Sequence, residues 1–125
     1  MICLINIIMF DPLLTREEFK KQVFEKTNGK CCVPGCTCDA ADAHHIMDRK
    51  LWNDGGYYIT NGAALCSKHH LDAEHGIITP LQCMDWMGIN PGIVRKPDKV
   101  KEIFPRDNLE YMEALVIGLI NKWGE

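Results

Sequence analysis

Residues 31–74 read CCVPGCTCDAADAHHIMDRKLWNDGGYYITNGAALCSKHHLDAE. Two half-sites of soft ligands bracket this stretch. The first is Cys31 or Cys32 with Cys36, at C-x4-C or C-x3-C spacing. The second is Cys66 with His69, at C-x2-H spacing. Zinc takes four S or N ligands in a tetrahedron, and short spacing lets one turn present two of them. One such pair is a weak signal, whereas two pairs about thirty residues apart are a strong one. The expected result is a structural zinc site whose binding energy, on the order of 10 kcal/mol, is folding energy.

Between the half-sites lie the pair His44-His45 and Asn61, and His70 follows directly on His69. Neighbours on a strand point to opposite faces, so His44 and His45 are expected to divide the labour, one as ligand and one as base. Glu74 stands four residues after His70 and shares its helix face. His44, His70 and Glu74 can therefore converge on a divalent ion, and three protein ligands with open positions are the pattern of a catalytic metal site. His45 is left to take a proton from water. Asn61 is expected to fix the loop or to orient the imidazole through its amide.

Working outward, Thr15-Arg16-Glu17-Glu18 is a capping box. It predicts a helix to about Thr27 with Phe19, Val23 and Phe24 on its apolar face, closed by Asn28-Gly29. Pro34-Gly35 bends the chain between candidate ligands. Short strands are expected at Ala43–Met47 and Ala63–Leu65, joined by a loop over Asp48–Gly62. Ser67 is expected to cap a helix through about His75. Residues 80–105 read as irregular, with Pro80, Pro91, Pro97 and Pro105 as breakers. A final helix is expected at about Asp107–Trp123 with an apolar stripe from Leu109 to Ile120. Residues 2–10 are β-branched-rich and could form a strand.

At 125 residues the chain is read as one domain. Its parts are an N-terminal extension (1–14), a core carrying the motif (15–79), and a C-terminal irregular segment plus helix packed on the same domain (80–125). The formal net charge of −3 excludes a globally basic nucleic-acid binder. Basic clusters occur locally, at Lys20, Lys21, Lys26 and Lys30, at Arg49 and Lys50, and at Arg95, Lys96, Lys99 and Lys101. Seven cysteines raise a disulfide scaffold as a rival. That reading needs a signal peptide, and MICLINIIMF lacks a basic leading region and a cleavage site. The odd cysteine count also fits disulfides poorly. A reducing cytoplasm and no membrane span are expected, with Cys3 and Cys83 as core thiols.

These residues resemble the HNH endonucleases, the ββα-metal nuclease family. The resemblance lies in Cys31-x4-Cys36, Ala43-His44-His45-Ile46, Asn61, Leu65-Cys66-x2-His69-His70 and Glu74, over roughly residues 15–75. It implies an α+β core of two antiparallel strands and a helix around one catalytic divalent ion such as Mg²⁺, Mn²⁺ or Ni²⁺. His44 matches the first metal ligand, His45 the general base, Asn61 the motif Asn and His70 the final His ligand. Cys31, Cys36, Cys66 and His69 match the zinc set. The implied activity is hydrolysis of DNA phosphodiester bonds, with two copies or two encounters needed to cut both strands. Arg49 and Lys50 are the expected phosphate contacts. The rivals are a catalytically silent zinc module that binds nucleic acid and a protein-interaction domain using the Leu109–Ile120 stripe.

Overall fold

A computed structural model describes residues 11–99. The expected strand in 2–10 with Cys3, Lys101, and the closing helix with its Leu109–Ile120 stripe lie outside the described residues.

The first helix, α1 (Arg16–Lys26), begins where its sequence says it should. The Thr15 hydroxyl accepts from the Glu18 amide at 3.1 Å, and the Glu18 carboxylate accepts from the Thr15 amide at 3.0 Å. Phe19 and Val23, one turn apart, are its buried residues. Burial of each stabilises the fold by about 1.5–3 kcal/mol. Asn28 and Gly29 both take positive φ, at 54° and 77°, and turn the chain out of the helix.

The chain then makes a knuckle. The Cys31 amide donates to the Cys38 carbonyl at 3.0 Å, the Cys36 amide donates to the Val33 carbonyl at 3.0 Å, and Gly35 supplies a φ of 82° at the tip. The Cys32 amide donates to the Ala64 carbonyl at 2.8 Å and ties the knuckle to the sheet.

That sheet is an antiparallel pair, β1 (Asp42–His45) with β2 (Gly62–Leu65), in the register Asp42↔Leu65, Ala43↔Ala64, His44↔Ala63 and His45↔Gly62. All four residues of β2 are buried. The missing side chain of Gly62 lets α1 come close. A Cβ added at Gly62 would stand 2.3 Å from the Val23 Cγ2 and 2.9 Å from the Phe19 ring.

The loop between the strands holds two short 3-10 turns, Arg49–Leu51 and Ile59–Asn61. It is fastened from within by Trp52, whose indole N–H donates to the Met47 carbonyl at 3.2 Å, and by the buried Asn61.

After β2 comes α2 (Ser67–Glu74). Ser67, expected to be its cap, is its first helical residue; Cys66 occupies the cap position and makes no side-chain cap bond. A third helix, α3 (Pro80–Trp86), corrects the expectation of an irregular segment from 80 onward. Thr79 and Gln82 form a second capping box, and Pro80 sits at the first helical position, where its missing N–H costs nothing. Cys83 and Met84 of α3, with Ile78, Met87 and Ile89, join Phe19, Val23, Ile46 and Leu65 in one core.

The result is a small α+β unit whose two-stranded sheet packs against α1 and α2. Among the described residues, no helix is long and apolar enough to cross a membrane.

Candidate metal centre and adjoining cleft

The hairpin and its neighbours assemble two polar sites. At one of them Cys31 and Cys36 from the knuckle, Cys66 from the end of β2 and His69 from α2 bring their ligand atoms within 4.8 Å of one another. The His69 Nδ1 lies 3.4 Å from the Cys31 Sγ and 3.2 Å from the Cys66 Sγ. An S–N edge of a zinc tetrahedron is about 3.5 Å, from bonds of about 2.3 and 2.05 Å. The donor set and its spacing therefore fit a tetrahedral ion such as zinc. Cys31 and Cys66 are buried, and Cys36 and His69 are partly so.

The choice between the adjacent cysteines is settled by which way the knuckle turns. Cys31 belongs to the four-residue cluster and Cys32 does not. Cys32 instead packs against the core, where burial, and then the nearby Cys83, push its thiol up to about 12. Cys83 is likewise raised to about 12, chiefly by burial, as befits a core thiol. All six described cysteines are free of disulfides.

The second site is a cleft of about 640 Å³ lined by β1, whose only strand partner among the described residues is β2. Five of the sequence-predicted residues, His44, His45, Arg49, His70 and Glu74, line it. The two adjacent histidines lean in different directions. His44 meets His70 edge to face, with ring centroids 5.2 Å apart. His45 stacks on Phe19 of α1 at 4.9 Å and meets Tyr57 edge-on at 4.9 Å.

The His70 ring is held between two carboxylates. Its Nδ1 is 3.1 Å from the Asp42 Oδ2 and its Nε2 is 3.3 Å from the Glu74 Oε1. A neutral imidazole carries one N–H and can donate to only one of them. The other contact calls for a second proton or for a cation in its place. Asp42 was not among the expected site residues. Its signal was available, because Asp42 and His44 stand two apart on one strand and so share a face.

Charge divides the cleft. Asp42 and Glu74 gather at the His44–His70 end. At the other end Arg49 lines the cleft and its guanidinium donates to the Tyr57 hydroxyl at 3.3 Å. Burial, then the Arg49 charge, then His44, hold His45 down to about 4, against the opposing pull of the Gly55 carbonyl and Asp48. His44 is also lowered, first by burial and then by His70, with Glu74 and Asp48 opposing. Among the described residues the His45 Nε2 is shut away from solvent with no hydrogen-bond partner.

Neither a scan of protein-family models nor searches of curated proteins and of solved structures gave a match to this chain.

The remaining expected residues divide. Asn61 makes no hydrogen bond to His45. Its Oδ1 accepts from the Met47 amide at 2.8 Å, and its Nδ2 donates to the carbonyls of Met47 and Gly56, both at 3.1 Å. It is a clasp across the β1–β2 loop. Of the two expected phosphate contacts, Arg49 lines the cleft and Lys50 does not. Arg16 and Lys20 line it instead, from α1. Their i, i+4 spacing puts them on one helix face, but only the packing of α1 on the hairpin shows that this face looks into the cleft.

Proposed function

We propose that the chain is a metal-dependent endonuclease of the HNH, ββα-metal type, hydrolysing phosphodiester bonds in DNA, with zinc at the Cys31, Cys36, Cys66 and His69 cluster as its structural ion. The observation that carries the reading is the division of the cleft, with imidazoles and carboxylates at one end and a neutral histidine beside an arginine at the other.

His44, His70 and Glu74 would hold the catalytic divalent ion, with Asp42 orienting His70. The His70 contact with two carboxylates fits such a role, because a cation held by His70 and Glu74 would remove the need for a second imidazole proton. Bound there, the ion supplies positive charge for the phosphate and for the leaving 3′ oxygen.

The chain's own residues do the rest. Burial and Arg49 keep His45 unprotonated at neutral pH, ready to accept a proton. As a neutral imidazole lining the cleft, it has one ring nitrogen with a lone pair to take that proton. As the water oxygen bonds to phosphorus, His45 takes its proton, and the bond to the 3′ oxygen breaks to leave a 5′ phosphate and a 3′ oxyanion that takes a proton from solvent to become the 3′ hydroxyl. Arg49 lies on the side from which a phosphate oxygen would be held. Asn61 supports the site by keeping the loop that carries Gly55 and Tyr57 in place.

The test is nicking of supercoiled plasmid by zinc-loaded protein with added Mg²⁺, Mn²⁺ or Ni²⁺, beside His45→Ala. Metal-dependent nicking is expected, falling roughly 10²–10⁴-fold in a variant that keeps its fold and zinc. Folded wild type that cuts neither plasmid nor single strands would instead favour a catalytically silent zinc module that binds nucleic acid.

A further inference from the structure

The part of the cleft wall built by α1 is basic. Arg16 and Lys20 are one turn apart, exposed, and both line the cleft. Among the described residues neither makes an ion pair; Lys20 only leans over the Phe24 ring at 5.6 Å. The acids of the cleft are engaged elsewhere. Asp42 and Glu74 contact His70, and Asp48 accepts from the Lys50 amide at 2.8 Å. Two cations on one rigid helix, facing a cleft and unneutralised, are a site for a polyanion. Arg49, which enters the same cleft from the loop, continues the track.

We propose that Arg16 and Lys20 are contacts to the phosphate backbone of a DNA strand lying in this cleft, a choice of partner that rests on the nuclease reading. The helix holds the two charges at fixed separation, which places the strand without reading its sequence. The α1 cations line the same cleft as His44 and His70, so a strand lying in it meets both. The remaining lysine-rich face of α1, with Lys21 and Lys26, looks away from the cleft and has no part in this track.

Each phosphate contact releases counterions, so the salt dependence of binding counts the contacts. The experiment is anisotropy of a short labelled DNA duplex with zinc-loaded full chain, without other divalents, in about 50 to 200 mM NaCl. For the double variant Arg16→Gln/Lys20→Gln, the slope of log K against log salt is expected to become shallower by about 1.8, and for Lys20→Gln alone by about 0.9. Lys21→Gln, the same loss of charge on the same helix, is expected to keep the wild-type slope.

A double variant with the wild-type slope overturns the proposal, as does wild type that does not bind the duplex. Plasmid nicking, run in parallel, separates the two readings. Nicking with an unchanged slope in the double variant leaves the nuclease standing and removes the α1 track. A reduced slope without nicking by wild type keeps the track and removes the nuclease.

Discussion

The His45 imidazole lies stacked on the Phe19 ring, with centroids 4.9 Å apart and planes inclined by 27°. A helix residue from the capping-box segment thus forms one wall of the environment of a strand histidine. The same contact that builds the core removes water from the imidazole, and removing water disfavours its charged form.

In zinc-loaded protein without a second divalent ion, the His45 ring is expected to titrate near pH 4 in an NMR experiment. Arg49→Gln removes a neighbouring cation and should move that midpoint upward. The stability consequence follows from the sign of the shift. The folded value lies below the unfolded one of about 6.5, so the unfolded chain binds more protons between them. Stability is fully present above about 6.5 and declines as pH falls toward about 4. His44, also lowered, acts in the same direction. A His45 midpoint at or above 6.5 would sink this account.

Cys31→Ser and Cys32→Ser should behave differently despite their adjacency. Cys31→Ser removes a member of the ligand cluster and is expected to lose zinc stoichiometry and to melt far below wild type. Cys32→Ser should keep zinc and lose about 1–3 kcal/mol, because a hydroxyl replaces a thiol packed on the core. Zinc content by atomic emission beside thermal melts reads both. Equal zinc loss in the two variants would contradict the assignment.

Removal of the ion from wild type by a chelator should unfold the knuckle and lower the melting temperature. Thiol reagent should then reach Cys31, Cys36 and Cys66. A melt unchanged by complete zinc removal would mean that the cluster contributes no folding energy.

Asn61→Ala is expected to cost about 2–4 kcal/mol in urea melts, since the Met47 N–H and two loop carbonyls lose their buried partner. The His45 titration midpoint should move toward the ordinary value as the loop loosens. A fully stable Asn61→Ala protein would show that the clasp is dispensable.

Gly62→Ala should destabilise by about 1–3 kcal/mol, because the new methyl meets Val23 at 2.3 Å and Phe19 at 2.9 Å. Gly76→Ala is a useful contrast. A methyl there meets nothing within 4 Å, although the φ of 76° imposes its own backbone strain.

By itself the amino-acid sequence determined the local elements and the ligand chemistry. The Thr15–Glu18 box starts α1, Asn28-Gly29 ends it, and the two Cys/His half-sites announce a soft-metal cluster, because capping, positive φ and ligand softness are properties of a few adjacent residues. The same local reasoning took Pro80 for a breaker, since a proline that stops one helix and a proline that opens another look alike until Thr79 and Gln82 are seen to close a box around it. Only the tertiary structure decided which of Cys31 and Cys32 faces the cluster, that Asn61 clasps the loop rather than touching His45, that Asp42 joins His70, and that Arg16 and Lys20 rather than Lys50 look into the cleft. Each of these depends on how α1, the hairpin and α2 are rotated against one another. That rotation is set by the burial of Phe19 and Val23 against Gly62 and its neighbours, a contact between residues some forty positions apart that no local pattern contains.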